Sequence, residues 1–275
     1  MTQKRVKDYY TATVRDEWKR LIQDAYHRLE FDTTIHFLER HLPKQGRILD
    51  AGGGPGRYSI ELAKRGYHMV LLDMTPANLE FARRKIRQAR VQNRIEETVE
   101  GSITDLSRFG DNTFDAVICL GGPLSHILDR RNRNQAINEL IRVAKMGAPL
   151  FVSVMGRLSI LVIELVLFPH ELEKPFFKHM RDGGDYPGTY GFTACHFFLP
   201  EELARDFYHK GVKVVGMAGL EGVGSNQSQK VNRLARNRKR WRIWMQTHLQ
   251  TCTHPSAVGM SEHMMIICRK VLHVV

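Results

Sequence analysis

The feature that most constrains this chain is a glycine-rich turn that directly follows a short apolar segment. Residues 47–51 read RILDA, and residues 52–56 read GGGPG. An apolar run that ends in glycines and is followed by a helical pattern indicates a strand, a tight turn and a helix N-terminus. Such a turn presents backbone N–H groups and a helix dipole at the carboxyl edge of a sheet, where open α/β folds bind ligands.

Short apolar strands and helices alternate on both sides of this turn, which predicts an α/β fold. The pattern favours a Rossmann-like three-layer domain with a mostly parallel sheet. The predicted strands are 47–51, 68–73, 96–100, 114–120, 149–155, 212–220 and 263–271. The predicted helices of the same region are 57–65, 76–90, 134–145, 200–211 and 230–249.

Two segments depart from the alternation. Residues 13–42 have helical spacing of apolar side chains, and Pro43 and Gly46 end that pattern. We therefore divide the chain into an N-terminal helical cap, 1–44, and a main domain, 45–275. Within the main domain, residues 157–195 contain an apolar stretch, a helical piece and loop chemistry, so we interpret them as an inserted lid after the fifth strand.

The composition excludes several classes of protein. The chain has 275 residues, of which 43% are hydrophobic and 25% charged, so disorder is excluded as its main state. Its cysteines lie far apart and form no cluster with metal-ligand spacing, so we expect unpaired thiols and no metal site. These cysteines are Cys119, Cys195, Cys252 and Cys268.

The sequence also bears on location. The first 18 residues mix charged and aromatic side chains and lack the apolar core of a signal peptide. The longest apolar run, 158–168, is interrupted by Glu164 and is too short to span a bilayer. We therefore expect a cytoplasmic protein without a membrane partner.

The spacing of the glycines indicates the class of ligand. A dinucleotide fingerprint requires G-x-G-x-x-G, but Arg57 and Ser59 occupy the third glycine position in the two available registers. The motif present is Asp50-x-Gly52-x-Gly54-x-Gly56.

Over residues 45–155 the chain resembles the class I S-adenosylmethionine-dependent methyltransferases, whose first motif is an acid followed by G-x-G-x-G. The resemblance implies that S-adenosylmethionine is the cofactor and S-adenosylhomocysteine the product. It implies that Gly52 and Gly54 let the backbone approach the methionine moiety, and that Asp50 orders the loop or receives the amino group. Asp73, after the second strand, would accept the two ribose hydroxyls, and Met74 would lie against the adenine.

The resemblance implies further cofactor contacts after the third and fourth strands. Ser102 and Ile103 match positions that contact adenine, although many relatives carry an acid in place of Ser102. The segment FDAVICLGGPLSHIL, which includes Leu120 as a predicted cofactor contact, is most similar to that of glycine N-methyltransferases. Those enzymes usually have a polar residue where this chain has Gly122, so an amino-acid substrate is not supported.

Methyl transfer needs a nucleophile held in line with the S–CH3 bond and protected from water, and it needs a base only when the acceptor must lose a proton. His126 is a candidate base or orienting residue, or alternatively a packing residue. Tyr10 would face the donor or acceptor, because N-terminal helices of this family often cover the cofactor; otherwise it is a surface anchor. His196 is a third candidate, and the insertion offers His170, His179 and Tyr190 as pocket or exposed lid residues.

The formal charge of +12 permits two interpretations. In the first, the protein methylates an N or O nucleophile of a small molecule by in-line displacement, and the lid selects the acceptor. In the second, a basic surface over residues 230–242 binds RNA for modification. That surface consists of Lys230, Arg233, Arg236, Arg238, Lys239, Arg240 and Arg242, with Trp241 and Trp244 among them.

Three observations favour the small molecule. No RNA-binding module is present, and the spacing of Trp241 and Trp244 suits contact with a core. The sequence GGPLSH follows the fourth strand, where enzymes that methylate base amines have an asparagine-proline-proline-tyrosine type motif. Two alternatives stay open. The protein could bind the cofactor without catalysing a reaction, and it could form a homo-oligomer.

Overall fold

A computed structural model describes residues 2–271 of the protein. Its main element is a seven-stranded sheet with the order β3-β2-β1-β4-β5-β9-β8. Strands β1–β5 are parallel to one another, and β9 is antiparallel to both β5 and β8. The predicted α/β fold with a mostly parallel sheet is therefore confirmed.

The elements follow in chain order. The strands are β1 Arg47–Ala51, β2 His68–Asp73, β3 Ile95–Glu100, β4 Ala116–Cys119, β5 Pro149–Met155, β6 Asp185–Tyr186, β7 Cys195–His196, β8 Val212–Gly219 and β9 His263–Lys270. The helices are α1 Thr2–Arg20, α2 Ala25–His41, α3 Arg57–Lys64, α4 Pro76–Ala89, α5 Arg130–Val143, α6 Arg157–Leu167, α7 Pro175–Gly183, α8 Pro200–Phe207, α9 Ser228–Ala235, α10 Arg238–Thr251 and α11 Pro255–Met260.

The sheet is buried on both faces, which explains the continuous apolar runs of its central strands. Ile48 belongs to a core shared with α2, α3 and α4, and the adjacent Leu49 belongs to a core shared with α5 and α8. Alternation of side chains along each strand divides the apolar residues between these two layers. The four cysteines are free and lie inside the protein.

The N-terminal cap consists of two helices instead of the single predicted helix over 13–42. The break comes before α2, where the Asp24 side chain accepts a hydrogen bond from the His27 N–H and caps the new helix. Helix α1 packs on α4, and the Arg57 guanidinium lies 3.7 Å from the centre of the Trp18 ring. This contact fixes the end of α1 beside the glycine turn.

Residues 157–196, which we call the lid, comprise α6, α7 and the two-stranded ladder β6–β7. Its apolar side chains form a separate core with Met155 at the end of β5. Helix α1 reaches this lid, because Arg5 donates to the Pro187 carbonyl and the Tyr9 ring contacts Phe192 edge-on. The N-terminal cap and the lid therefore meet above the carboxyl edge of the sheet.

The basic segment near the C-terminus also differs from its prediction. The helix expected over 230–249 is divided into α9 and α10, since the Asn237 side chain caps the Arg240 N–H. Among residues 2–271, no helix combines the length and apolar character needed to cross a bilayer.

Candidate functional site

A cleft lies at the carboxyl ends of β1, β2, β3 and β4, where the glycine turn directs its backbone. We call it the glycine-loop cleft. It contains about 970 Å³ of empty space, including its open mouth. Seven of the eight predicted cofactor residues line it, namely Gly52, Gly54, Asp73, Met74, Ser102, Ile103 and Leu120.

The glycines of the turn are required by its geometry. Gly52 has φ +78°, and a Cβ there would lie 2.6 Å from Pro123 Cγ. Gly54 has φ +55° and no close contact except the Asn78 amide, at 3.8 Å. A residue with a side chain at Gly52 would therefore be strained and would also collide with the loop after β4. The space above the turn stays open to a ligand.

Asp73 ends β2 and is 6% exposed. Its Oδ2 accepts the Gly54 N–H at 2.8 Å, and its Oδ1 accepts the Thr75 N–H at 2.8 Å and the Asn78 amide at 3.2 Å. Burial raises the pKa of Asp73, and these hydrogen bonds oppose the shift. The carboxylate is thus held by the loop at the wall of the cleft.

Asn78 is a residue of the cleft that the sequence did not point to. Its amide nitrogen donates to Asp73, while its Oδ1 is buried without a hydrogen-bond partner among residues 2–271. A buried acceptor of this kind needs a donor. A polar ligand with hydroxyl or amino groups would supply one.

Asp50, the eighth predicted residue, lies behind the glycine turn and does not line the cleft. It is fully buried and accepts the Ser59 hydroxyl at 2.6 Å, while its other oxygen has no partner within the described part of the chain, 2–271. A Cβ at Gly53 would lie 2.5 Å from the Asp50 carboxyl carbon. Burial raises the pKa of Asp50 to about 7. This position favours ordering of the loop over direct contact with a ligand amino group.

The two catalytic candidates, Tyr10 and His126, are brought together by the fold. Tyr10 on α1 and His126 after β4 both line the cleft, and the phenol oxygen lies 2.7 Å from His126 Nε2. His126 Nδ1 lies 3.0 Å from the Ala194 carbonyl, an acceptor only, so Nδ1 carries the proton and Nε2 accepts from Tyr10. Burial lowers the pKa of His126 and raises that of Tyr10, so both are neutral near pH 7.

Arg20 and Glu17 on α1 also line the cleft, although neither was predicted as a site residue. Arg20 Nε donates to Glu17 at 3.0 Å, and another guanidinium nitrogen pairs with the buried Glu30. A Cβ at Gly121 would lie 3.3 Å from this guanidinium. No local motif marks Arg20, because its position depends on the docking of α1 onto the sheet.

A second space, which we call the lid cavity, lies under the inserted segment. It is bounded by α6, the end of β5 and the start of β9, and it contains about 1050 Å³ of empty space, including its opening. Tyr190 lines it as one of the predicted alternatives, whereas His170 and His179 are exposed and do not.

His196, the third predicted pocket residue, lines neither space. Its Nδ1 lies 2.6 Å from Asp185 and its Nε2 lies 2.8 Å from Glu202. Burial alone lowers the pKa of His196, but the two carboxylates raise it. The imidazole therefore acts as an ionic link between the lid ladder and α8.

Glu30, Glu221 and His263 place three potential metal-ligand atoms within 4.8 Å of one another. His263 Nδ1 is hydrogen-bonded to Glu221 at 2.8 Å and lies 3.6 Å from Glu30. Burial lowers the pKa of His263, but the two carboxylates raise it to about 9. The cluster is therefore explained as an internal ion-pair network. It joins Arg20 in the glycine-loop cleft to His263 in the lid cavity.

The basic surface is exposed at all seven of its charged residues. Its tryptophans are partly buried, and Trp241 packs on the small core formed by Tyr26, Leu29 and Val231. The Trp241 ring thus serves packing between α10 and α2, as the spacing of the two tryptophans predicted.

Comparisons with known proteins agree with this geometry. Residues 48–147 match a family model described as a methyltransferase domain. Glycine/sarcosine N-methyltransferase of Parasynechococcus marenigrum is 34% identical over 137 residues, which cover 50% of this chain and 47% of that protein. Ubiquinone biosynthesis O-methyltransferase of Hahella chejuensis is 36% identical over 124 residues, which cover 45% of this chain and 49% of that protein. The chain spans about half the length of the curated relatives it matches.

Solved structures share the fold over more of the chain. The 1,6-didemethyltoxoflavin-N1-methyltransferase of Burkholderia thailandensis, crystallised with 1,6-didemethyltoxoflavin and S-adenosylhomocysteine, matches with a TM-score of 0.58 and 15% identity. The match covers 98% of this chain and 89% of that one. A methyltransferase of Methanosarcina mazei matches with a TM-score of 0.57 and 20% identity, and the match covers 86% of this chain and 98% of that one. The glycine motif and the family match support a class I S-adenosylmethionine-dependent methyltransferase domain over residues 48–147, and the solved methyltransferases share the fold of the chain.

Proposed function

We propose that this protein is an enzyme that moves a methyl group from S-adenosylmethionine to an N or O nucleophile of a small molecule by in-line displacement. The observation that carries the proposal is the pairing of two spaces. The glycine-loop cleft has the residues for the donor, and the lid cavity lies next to it with apolar walls. The N- and O-methyltransferase relatives act on small molecules by name, which supports the same class of acceptor.

The residues of the cleft fit the donor. Asp73 faces the cleft from the end of β2, where its oxygens can accept the ribose hydroxyls, and Met74 and Ile103 offer apolar contact for the adenine. The open backbone at Gly52 and Gly54 leaves room for the methionine part. When bound, S-adenosylmethionine supplies a methyl group activated by its sulfonium.

Tyr10 and His126 would form the wall beside the reacting groups and exclude water. The neutral His126 can receive the Tyr10 proton at Nε2 while the Tyr10 oxygen takes a proton from the acceptor, so the pair offers a proton relay. An acceptor that attacks without losing a proton would need only the positioning part of this role.

The test is binding of S-adenosylhomocysteine measured by isothermal titration calorimetry. We expect micromolar affinity for the wild-type protein and a loss of about 100-fold in Asp73→Ala, because the ligand hydroxyls lose charge-assisted hydrogen bonds. Asp105→Ala is a matched control, since Asp105 is exposed and does not line the cleft. Undiminished binding by Asp73→Ala would overturn the assignment of the cofactor site.

The exposed basic surface supports a second candidate, an RNA-modifying methyltransferase, since seven cations over residues 230–242 could contact phosphates. This candidate requires RNA affinity that falls steeply with salt and weakens in Arg236→Glu/Arg240→Glu. Absence of RNA binding at moderate salt would eliminate it. The packing of Trp241 in a core favours the small-molecule proposal.

A further inference from the structure

The lid cavity has walls that suit an apolar ligand. Ile160 and Ile163 on α6, Phe192 and Phe197 near β7, and Met155 at the end of β5 face it. Such a lining binds a small molecule mainly by removing apolar surface from water. A polar side chain in this apolar wall therefore determines which polar group the ligand needs in addition to its apolar surface.

Glu164 is that polar group. It lies on α6, faces the lid cavity and is only 6% exposed. Its Oε2 is buried without a hydrogen-bond partner among residues 2–271, and no ion pair involving this carboxylate is found within the same range. Burial, together with the nearby Glu171 carboxylate, raises its pKa. Within the described chain, Glu164 is thus an acid that the protein leaves unsatisfied.

The other ionisable groups at the lid cavity have partners. Glu262 accepts the Tyr26 hydroxyl and the Asn226 N–H, the latter at 3.1 Å. His263 is hydrogen-bonded to Glu221. The partly buried Glu171 carboxylate lies 3.9 Å from the exposed His170 imidazole. Of the lining side chains described, Glu164 alone has a buried polar atom without a partner.

The lid cavity is next to the glycine-loop cleft. A Cβ at Gly122 would lie 3.5 Å from the end of Met155, and the Phe192 ring centre lies 5.8 Å from that of His126. His126 lines the cleft, while Met155 and Phe192 line the cavity. A ligand in the cavity is therefore separated from the cleft by only one layer of side chains.

We propose that the lid cavity holds the apolar body and the cationic amino group of the acceptor, which Glu164 selects, and that a separate nucleophile of the acceptor extends past Met155 and Phe192 into the glycine-loop cleft. The ammonium of the ligand would supply the missing partner of this buried carboxylate, and charge-assisted hydrogen bonds are stronger at a buried site than in water. This inference rests on the proposed methyl transfer for its biological meaning, but the binding itself is measured separately.

The experiment uses three probes of nearly equal shape, tryptamine, tryptophol and indole-3-propionate, which end in an ammonium, a hydroxyl and a carboxylate. Each is titrated into the protein saturated with S-adenosylhomocysteine. We expect tryptamine to bind about tenfold more tightly than tryptophol and indole-3-propionate to bind most weakly, as the charge at Glu164 requires. Glu164→Gln should lower tryptamine affinity about tenfold and leave tryptophol affinity unchanged.

Glu173→Gln is the matched control, since it removes the same charge from an exposed position that does not line the cavity. It should retain the preference for tryptamine. Equal affinities for tryptamine and tryptophol, no tryptamine binding at millimolar concentration, or a preference that survives in Glu164→Gln would each overturn the inference. Loss of S-adenosylhomocysteine binding would instead overturn the proposed function, so the two failures are distinguishable.

Discussion

The glycine-loop cleft and the lid cavity each have one buried acid in the wall, and the protein treats the two acids differently. Asp73 accepts hydrogen bonds from two backbone N–H groups and an amide, whereas Glu164 has an oxygen with no partner among the described residues. The first site is therefore organised before any ligand arrives. In the lid cavity, by contrast, a ligand must supply the partner that Glu164 lacks. We therefore expect the glycine-loop cleft to bind the methyl donor and the lid cavity to determine the specificity for the acceptor.

The largest effect on the contrast between the preformed cleft and the incomplete lid cavity is expected from a substitution in the glycine turn. Gly52→Ala should destabilise the protein by about 4 kcal/mol through strain at positive φ and collision with Pro123. It should also abolish S-adenosylhomocysteine binding at micromolar concentration. Gly147→Ala is the control, since Gly147 has φ +77° and open space around it, and it should cost only about 1 kcal/mol. Equal losses of unfolding free energy in urea would contradict a preformed cleft.

The ion-pair network between the two spaces can be tested by pH. The pKa of His263 is raised to about 9 in the folded protein, above its ordinary value of 6.5. Its stabilising effect is therefore complete below pH 6.5 and is lost as the pH rises through 9. We expect the free energy of unfolding to fall by up to about 3 kcal/mol over this range.

His263→Gln should flatten this dependence, measured by urea unfolding at a series of pH values. Because the variant leaves Glu30 and Glu221 without their cation, its folding is checked first by circular dichroism. Titration of the His263 ring protons by NMR in the wild-type protein is an independent measurement. A titration midpoint of the His263 imidazole at or below pH 6.5 would show that the ion-pair network does not stabilise its positive charge.

The contact of α1 with the cleft should have a smaller effect. Tyr10→Phe removes the hydrogen bond to the buried His126 Nε2 and should lower the free energy of unfolding by about 1.5 kcal/mol. Tyr9→Phe removes a hydroxyl from the neighbouring half-buried ring and should change it by less than about 0.5 kcal/mol. Both values come from urea unfolding at pH 7, and equal effects would show that the Tyr10–His126 bond contributes nothing.

The smallest effect separates the two acids of the glycine region. Asp50→Asn should change S-adenosylhomocysteine affinity by no more than about threefold, because Asp50 lies behind the turn and an amide oxygen can still accept from Ser59. Asp73→Asn, an equally conservative change inside the cleft, should weaken binding by about tenfold or more. Calorimetric titration of both variants checks the difference, and a larger loss in Asp50→Asn would assign the contact to that residue.

The same two regions differ in how well the sequence predicts them. Strands β1–β5 were predictable because buried parallel strands have continuous apolar runs, and the carboxyl ends of neighbouring strands meet at one edge. This is why seven of eight predicted cofactor residues share one cleft. Asp50 differs because strand alternation and the tight turn place its side chain in the interior.

The cap and the lid were less predictable, because their positions depend on contacts between distant segments. Arg20 reaches the cleft only after Arg57 has docked α1 through Trp18, which no periodicity encodes. His196 resembled a pocket residue by its place at the edge of the insertion, but the β6–β7 pairing brings it to Asp185. Glu164 interrupted an apolar run in the sequence, and only the fold of the lid revealed the space it faces.

The burial of the four thiols makes chemical labelling a reporter of motion. Cys195 lies in the lid ladder, whereas Cys119 and Cys268 lie in the main sheet, and all three are at most 1% exposed. Burial raises the pKa of Cys268 to about 12 and raises the pKa of the other two as well, so the reactive thiolate is scarce while the protein is closed. A thiol reagent can therefore react only during opening. The rate of Cys195 modification would report how often the lid opens. The rate of Cys119 or Cys268 modification would report how often the main sheet opens.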